Sequence, residues 1–87
     1  LHAVRLKQVS KTKRKKKIAA AIYEYQVDCD GEWGEISLNF ENSTAEIIRL
    51  AGWDTMKTNR FANKAIAYLL NCENEKLPKE TMVAFEP

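Results

Sequence analysis

The dipeptide Asp30-Gly31 constrains this chain more than any other feature, because it lies between two stretches in which apolar and polar residues alternate. A two-residue type I′ turn needs positive φ at both central positions, and Asp-Gly tolerates that better than most pairs. Such a turn fixes a register. With Cys29 opposite Glu32, Tyr25 faces Ile36, Tyr23 faces Leu38 and Ala21 faces Phe40 on one side. On the other side Gln26 meets Glu35, Glu24 meets Ser37 and Ile22 meets Asn39. Two antiparallel strands, 18–29 and 32–41, follow from this matching, since a slip of one residue would move every apolar side chain to the wrong face.

A second turn at Asn42-Ser43 predicts a third strand over 44–51. A two-residue loop there sets Ala45 and Ile47 on the tyrosine face and leaves Ile48 and Leu50 on the opposite one; an odd-length loop exchanges them. After Gly52 the apolar period lengthens, and Phe61, Ala62, Ala65, Ile66, Leu69, Leu70 and Cys72 fall on one side of a helix. Thr58 is the expected N-cap, with Asp54 as the alternative for an earlier start, and Asn71 to Asn74 end the helix ahead of Pro78. The segment 81–86 has extended character and reads as a short C-terminal edge strand. The fold class expected is therefore α+β, an antiparallel three-stranded β-meander covered on one face by a single amphipathic helix, in the order β-β-β-α-β. A chain of 87 residues has room for one core, so 18–87 is read as one small domain.

The net charge of +2 conceals a division along the chain. Residues 1–17 hold eight basic side chains (Arg5, Lys7, Lys11, Lys13, Arg14, Lys15, Lys16, Lys17) and no acidic one. From residue 18 onward six basic residues face all 12 acidic ones, a net of −6. A basic N-terminal arm, 1–17, is thus expected beside an acidic body. Val4, Leu6 and Gln8 alternate with Arg5, Lys7 and Val9, which gives the start of the arm the pattern of a short strand. Lys11, Lys13, Arg14, Lys15, Lys16 and Lys17 are the candidate nucleic-acid-binding residues, since a dense run of cations displaces counterions from phosphates without regard to sequence. The plainer reading of the same run is a solvated tail, or one neutralised by the acidic body.

No catalytic residue, cofactor or metal site is expected, and the chain is not read as an enzyme. His2 is the sole histidine and lies in the arm, so a serine or cysteine nucleophile lacks a placed base. Cys29, Cys72 and His2 do not make the four-ligand set of a structural zinc site, and the two cysteines read as reduced thiols. Asp28, Asp30 and Glu32 alternate around the first turn but do not match a calcium loop, which needs glycine and glutamate where Trp33 and Asn39 stand. Tyr23, Tyr25, Trp33 and Trp53 suggest base stacking less than packing, because the tyrosines belong to the core face. With the helix on one face, Ile22, Trp33, Ile48 and Leu50 share the other, more apolar surface than solvent usually covers; self-association as a homodimer is the expected remedy, and the arm folding across the sheet is the alternative. No apolar stretch is long enough to span a bilayer or to serve as a signal peptide, so the chain is read as cytoplasmic and without a membrane partner. The functional reading is a non-enzymatic interaction domain that self-associates and contacts nucleic acid through its arm. The alternative is a small adaptor or inhibitor whose acidic body docks on another protein.

Overall fold

The structure, a computed structural model of the chain, describes residues 2–54 and 58–85. Its elements run β1 (His2–Arg14), β2 (Lys17–Val27), β3 (Gly34–Asn39), β4 (Thr44–Arg49), α1 (Arg60–Asn71), a 3-10 turn (Asn74–Lys76) and β5 (Glu80–Phe85). The five strands form one antiparallel sheet in the order β4-β3-β2-β1-β5, and the single helix packs on one face. The class is α+β, as the alternation and the period change imply. Its order is β-β-β-β-α-β, one strand richer at the front than expected.

The added strand comes from the stretch read as an arm. β1 lies between β2 and β5, its Val4 and Leu6 are fully buried, and Val4 pairs with Val27 on one side and Val83 on the other. Most of the stretch read as an arm, His2–Arg14, is therefore an interior strand of the sheet. The alternation from Val4 to Gln8 was its signature, and the run of cations behind it hid how far the strand extends.

Both hairpins keep the expected sidedness with a register moved by two. Tyr23 pairs with Ile36 and Ala21 with Leu38, and the loop between β2 and β3 is 28–33 instead of Asp30-Gly31 alone. The cause is competition for the backbone. β1 claims the end of β2, with the Asp28 N–H donating to the Ala3 carbonyl at 2.7 Å, and the Gly52 N–H donates to the Glu32 carbonyl at 2.9 Å. Gly31 still supplies a positive φ of 80°, but Asp28 and Cys29 adopt left-handed φ of 55° and 57° in the same loop. The turn between β3 and β4 likewise spans 40–43, held by Asn39 Oδ1, which accepts the N–H groups of Glu41 and Asn42 at 3.0 and 3.3 Å. An even shift leaves each side chain on its face, so the core forms from Tyr23, Tyr25, Ile36 and Leu38 as anticipated.

The helix closes that core with Phe61, Ala62, Ala65 and Leu69, while Ile66 and Leu70 pack at its margin. Its N-cap is Asn59, at φ 44° and without a side-chain cap bond, in place of Thr58. Asp54 does the capping from five residues upstream. Its Oδ1 accepts the Phe61 N–H at 3.3 Å, and its Oδ2 accepts the Ala62 N–H at 2.9 Å and the Tyr25 hydroxyl at 2.7 Å. The same hydroxyl accepts the Ala51 N–H at 3.0 Å, so one carboxylate ties sheet, loop and helix start together. The segment 81–86 is realised as edge strand β5 over Glu80–Phe85, and Glu86 lies outside the described residues.

Candidate nucleic-acid interface

The candidate cations are gathered at one end of the molecule. Arg14 pairs with Lys17, so Lys15-Lys16 is a two-residue hairpin turn with φ of 53° and 70°, the mirror-image geometry that suits the twist of a hairpin. β5 pairs with β1 only as far as Lys7, and β3 pairs with β2 only from Ala20. Beyond those points β1 and β2 continue as a two-stranded ribbon. Lys11, Lys13, Arg14, Lys15, Lys16 and Lys17 are all exposed on it.

Two irregularities shape the ribbon. Register shifts fall between Gln8 and Ser10 and between Thr12 and Lys13, and each bulge adds twist and re-aims the side chains that follow. The base of the ribbon is fastened on both sides. Asn74, in the 3-10 turn, accepts the Ile18 N–H through Oδ1 and donates to the Ile18 carbonyl through Nδ2, both at 2.8 Å. Toward β3, Phe40 N–H donates to the Ala19 carbonyl at 2.9 Å, and the Arg14 guanidinium reaches both Glu41 oxygens at 3.0 and 3.2 Å. Arg14 is the only one of the six cations in an ion pair among the described residues.

The cations flank the ribbon in two groups. Lys11, Lys13 and Lys16 line a groove of about 310 Å³ together with Lys79, Asn74 and Leu77. Arg14, Lys15 and Lys17 line another of about 460 Å³ with Phe40 and Glu41. Ile18 and Asn74 border both. The contribution of Lys79 and of the Asn74 clasp was missed in the sequence, where nothing signals that a segment after the helix returns to 18.

Of the four expected self-association residues, Leu50 leaves the face opposite the helix. Ile22 is half-buried, and Trp33 is half-buried with the Arg5 guanidinium 5.5 Å from its ring. Leu50 packs against the core, because a bulge at Ile48, between the Ile36–Ile47 and Glu35–Arg49 pairs, returns the following residues to the other face. Ile22, Trp33 and Ile48 lie on the face opposite the helix as anticipated, Ile48 at 50% exposure. Across the sheet run cross-strand charge pairs, Arg49 with Glu35 at 4.0 Å beside Ile48 and Arg5 with Glu80 at 3.6 Å at the other edge, and Lys7 stands opposite Glu24. Long charged side chains cover apolar surface with their stems and keep it wet at their tips.

The remaining polar groups are accounted for structurally. Tyr23 accepts from Gln8 Nε2 at 3.0 Å and donates to the Pro78 carbonyl, and burial raises its phenol above the ordinary range. Burial raises the Tyr25 phenol further, with the Asp54 carboxylate acting in the same direction. Asp28 accepts the Ala3 N–H and a bond from His2, both at 2.9 Å, and those two contacts hold its carboxyl below the usual range. His2 thus stitches the start of β1 to the end of β2, with its ring edge-on to Phe61 at 5.2 Å. Among the described residues no group of three or more His, Cys, Asp or Glu is placed to hold a metal ion, and no helix is long and apolar enough to cross a membrane. No family model, curated protein or solved structure matches the chain.

Proposed function

We propose that the protein is a nucleic-acid-binding module that presents its basic β-ribbon tip to the phosphate backbone. The observation that carries the reading is the placement of six exposed cations on a protruding, fastened ribbon, five of them without an ion-pair partner among the described residues. A solvated tail would gain nothing from being ordered, and holding it ordered costs conformational entropy of about 1–2 kcal/mol per residue. Strand pairing and the Asn74 contacts meet that cost in the free protein, so a polyanion, which gains by releasing counterions, meets cations already in place.

The strain at the tip argues in the same direction. Lysine in the left-handed region costs on the order of 1–3 kcal/mol per residue, and such positions concentrate where function maintains them. Here two successive lysines occupy it, where Asn-Gly would relieve it.

The test is a fluorescence-anisotropy titration of a generic duplex at about 50 mM salt. It compares the protein with a variant carrying Lys13→Gln, Lys15→Gln, Lys16→Gln and Lys17→Gln. All four residues are exposed, so the variant is expected to fold. If about five phosphates are neutralised, raising the salt to about 200 mM should weaken the unsubstituted protein on the order of 10²–10³-fold. The variant should bind far more weakly at either salt. Equal binding by the two proteins would remove the proposal.

A further inference from the structure

We infer that the ribbon takes double-helical DNA, entering the major groove so that its two flanks face the two phosphate walls. The inference rests on the nucleic-acid reading above and names its ligand. Its ground is the division of charge across the ribbon: Lys11, Lys13, Lys16 and Lys79 against one acid, Glu75, on one groove, and Arg14, Lys15 and Lys17 against one acid, Glu41, on the other, with Ile18 and Asn74 shared by both. A single strand offers one line of phosphates, and proteins that hold it pair one cationic track with aromatic rings on which bases stack. Segment 11–18 contains no aromatic residue. Phe40, at the margin of one groove, is engaged in the core, and Trp53, 64% exposed, lies beside Gly31 at the other end of β2.

Size and stiffness agree with a duplex. Paired strands lie about 4.8 Å apart, and side chains on both flanks bring a ribbon to the scale of the major groove of B-form DNA, roughly 12 Å wide. The deep, narrow major groove of A-form RNA does not admit side chains in the same way. The Asn74 clasp and the Phe40–Ala19 backbone bond hold the base of the ribbon before any encounter, so little ordering remains to be done on binding. The acidic loop with Asp28, Asp30 and Glu32 begins where the eleven-residue β2 ends, about 33 Å from the tip, clear of the phosphates.

The experiment measures affinity for a 20-base-pair DNA duplex, for one of its strands alone and for the RNA duplex of the same sequence. It uses the protein and two variants, Lys11→Gln/Lys13→Gln/Lys16→Gln and Arg14→Gln/Lys15→Gln/Lys17→Gln. The duplex DNA should bind at least about tenfold more tightly than either competitor. Each variant should lose affinity for it, with the salt slope reduced by about 2–3. Single-strand or RNA binding as tight as duplex DNA binding, or a loss confined to one flank, would overturn the inference and leave the nucleic-acid reading standing. Failure of all three ligands to bind the unsubstituted protein would overturn both. Circular dichroism of each variant, matching that of the unsubstituted protein, ties any loss to charge and not to folding.

Discussion

Tyr25 and Gly34 show how single residues set the sheet. They pair directly across β2 and β3, and a Cβ added at Gly34 would fall against the Tyr25 ring, the Ala51 nitrogen and, at 2.7 Å, the Arg49 carbonyl. Two of those three obstacles are backbone, which cannot move aside cheaply. Gly34→Ala should therefore lower the unfolding free energy by at least about 2 kcal/mol, read from the urea midpoint at constant slope. The two buried tyrosines give a second readout. Their folded-state phenols are raised, so folding favours the protonated form. The stability tied to them is intact below the ordinary phenol value near 10 and is lost as pH rises above it, while the unfolded chain releases those protons first. Absorbance of phenolate at 295 nm should show Tyr23 and Tyr25 ionising together with loss of the circular-dichroism signal, not before it. For Asp28 the sign is reversed: its lowered carboxyl adds stability above the usual carboxylate range, and this fades as pH falls through its lowered value.

At the scale of the elements, the ribbon is the part whose sequence conflicts most with its conformation. Replacing Lys15 and Lys16 by Asn and Gly should relieve left-handed strain and stabilise the fold by about 1–2 kcal/mol. The same double substitution should weaken duplex binding, because it removes one cation from each flank. A thermal melt and a binding titration on one variant check both halves, and stabilisation without loss of binding would separate the strain from the function. The ribbon also shows where sequence reading stopped. The face of β2 and β3 was legible, since Tyr23 and Tyr25 flank Glu24, Ile36 and Leu38 flank Ser37, and turn errors of two residues leave parity unchanged. Leu50 was not, because a bulge at Ile48 has no local signature and reverses everything after it. The helix face was legible from Phe61 to Leu69. Its cap was legible in part: Asp54 was the alternative for an earlier start, but it caps a helix that begins at Arg60, across a loop that only the fold brings to the helix.

The whole molecule is elongated, 37 by 21 by 19 Å, with cations gathered at one end of β2 and Asp28, Asp30 and Glu32 at the other. A charge distribution of this kind orients a protein in the field of a polyanion, so approach should be tip first and sensitive to salt. It also explains why a net of +2 said so little: the exposed cations of the tip outnumber the acids beside them, Glu41 and Glu75, while the rest of the sheet carries mixed pairs such as Arg5–Glu80 and Arg49–Glu35. What the sequence concealed was that the basic stretch is structural along its first half and exposed along its second, so that Val4 and Leu6 anchor in the core the same strand that carries Lys11 and Lys13 outward. Self-association, argued from leftover apolar surface, loses Leu50 to the core margin and keeps Ile22, Trp33 and Ile48 on the face opposite the helix. Amide chemical shifts of the labelled protein, followed as a DNA duplex is added, test the central claim most directly. The account expects shifts concentrated at 11–18 and 74–79, and changes centred on 28–33 or on Ile48 and Trp53, with the ribbon silent, would contradict it.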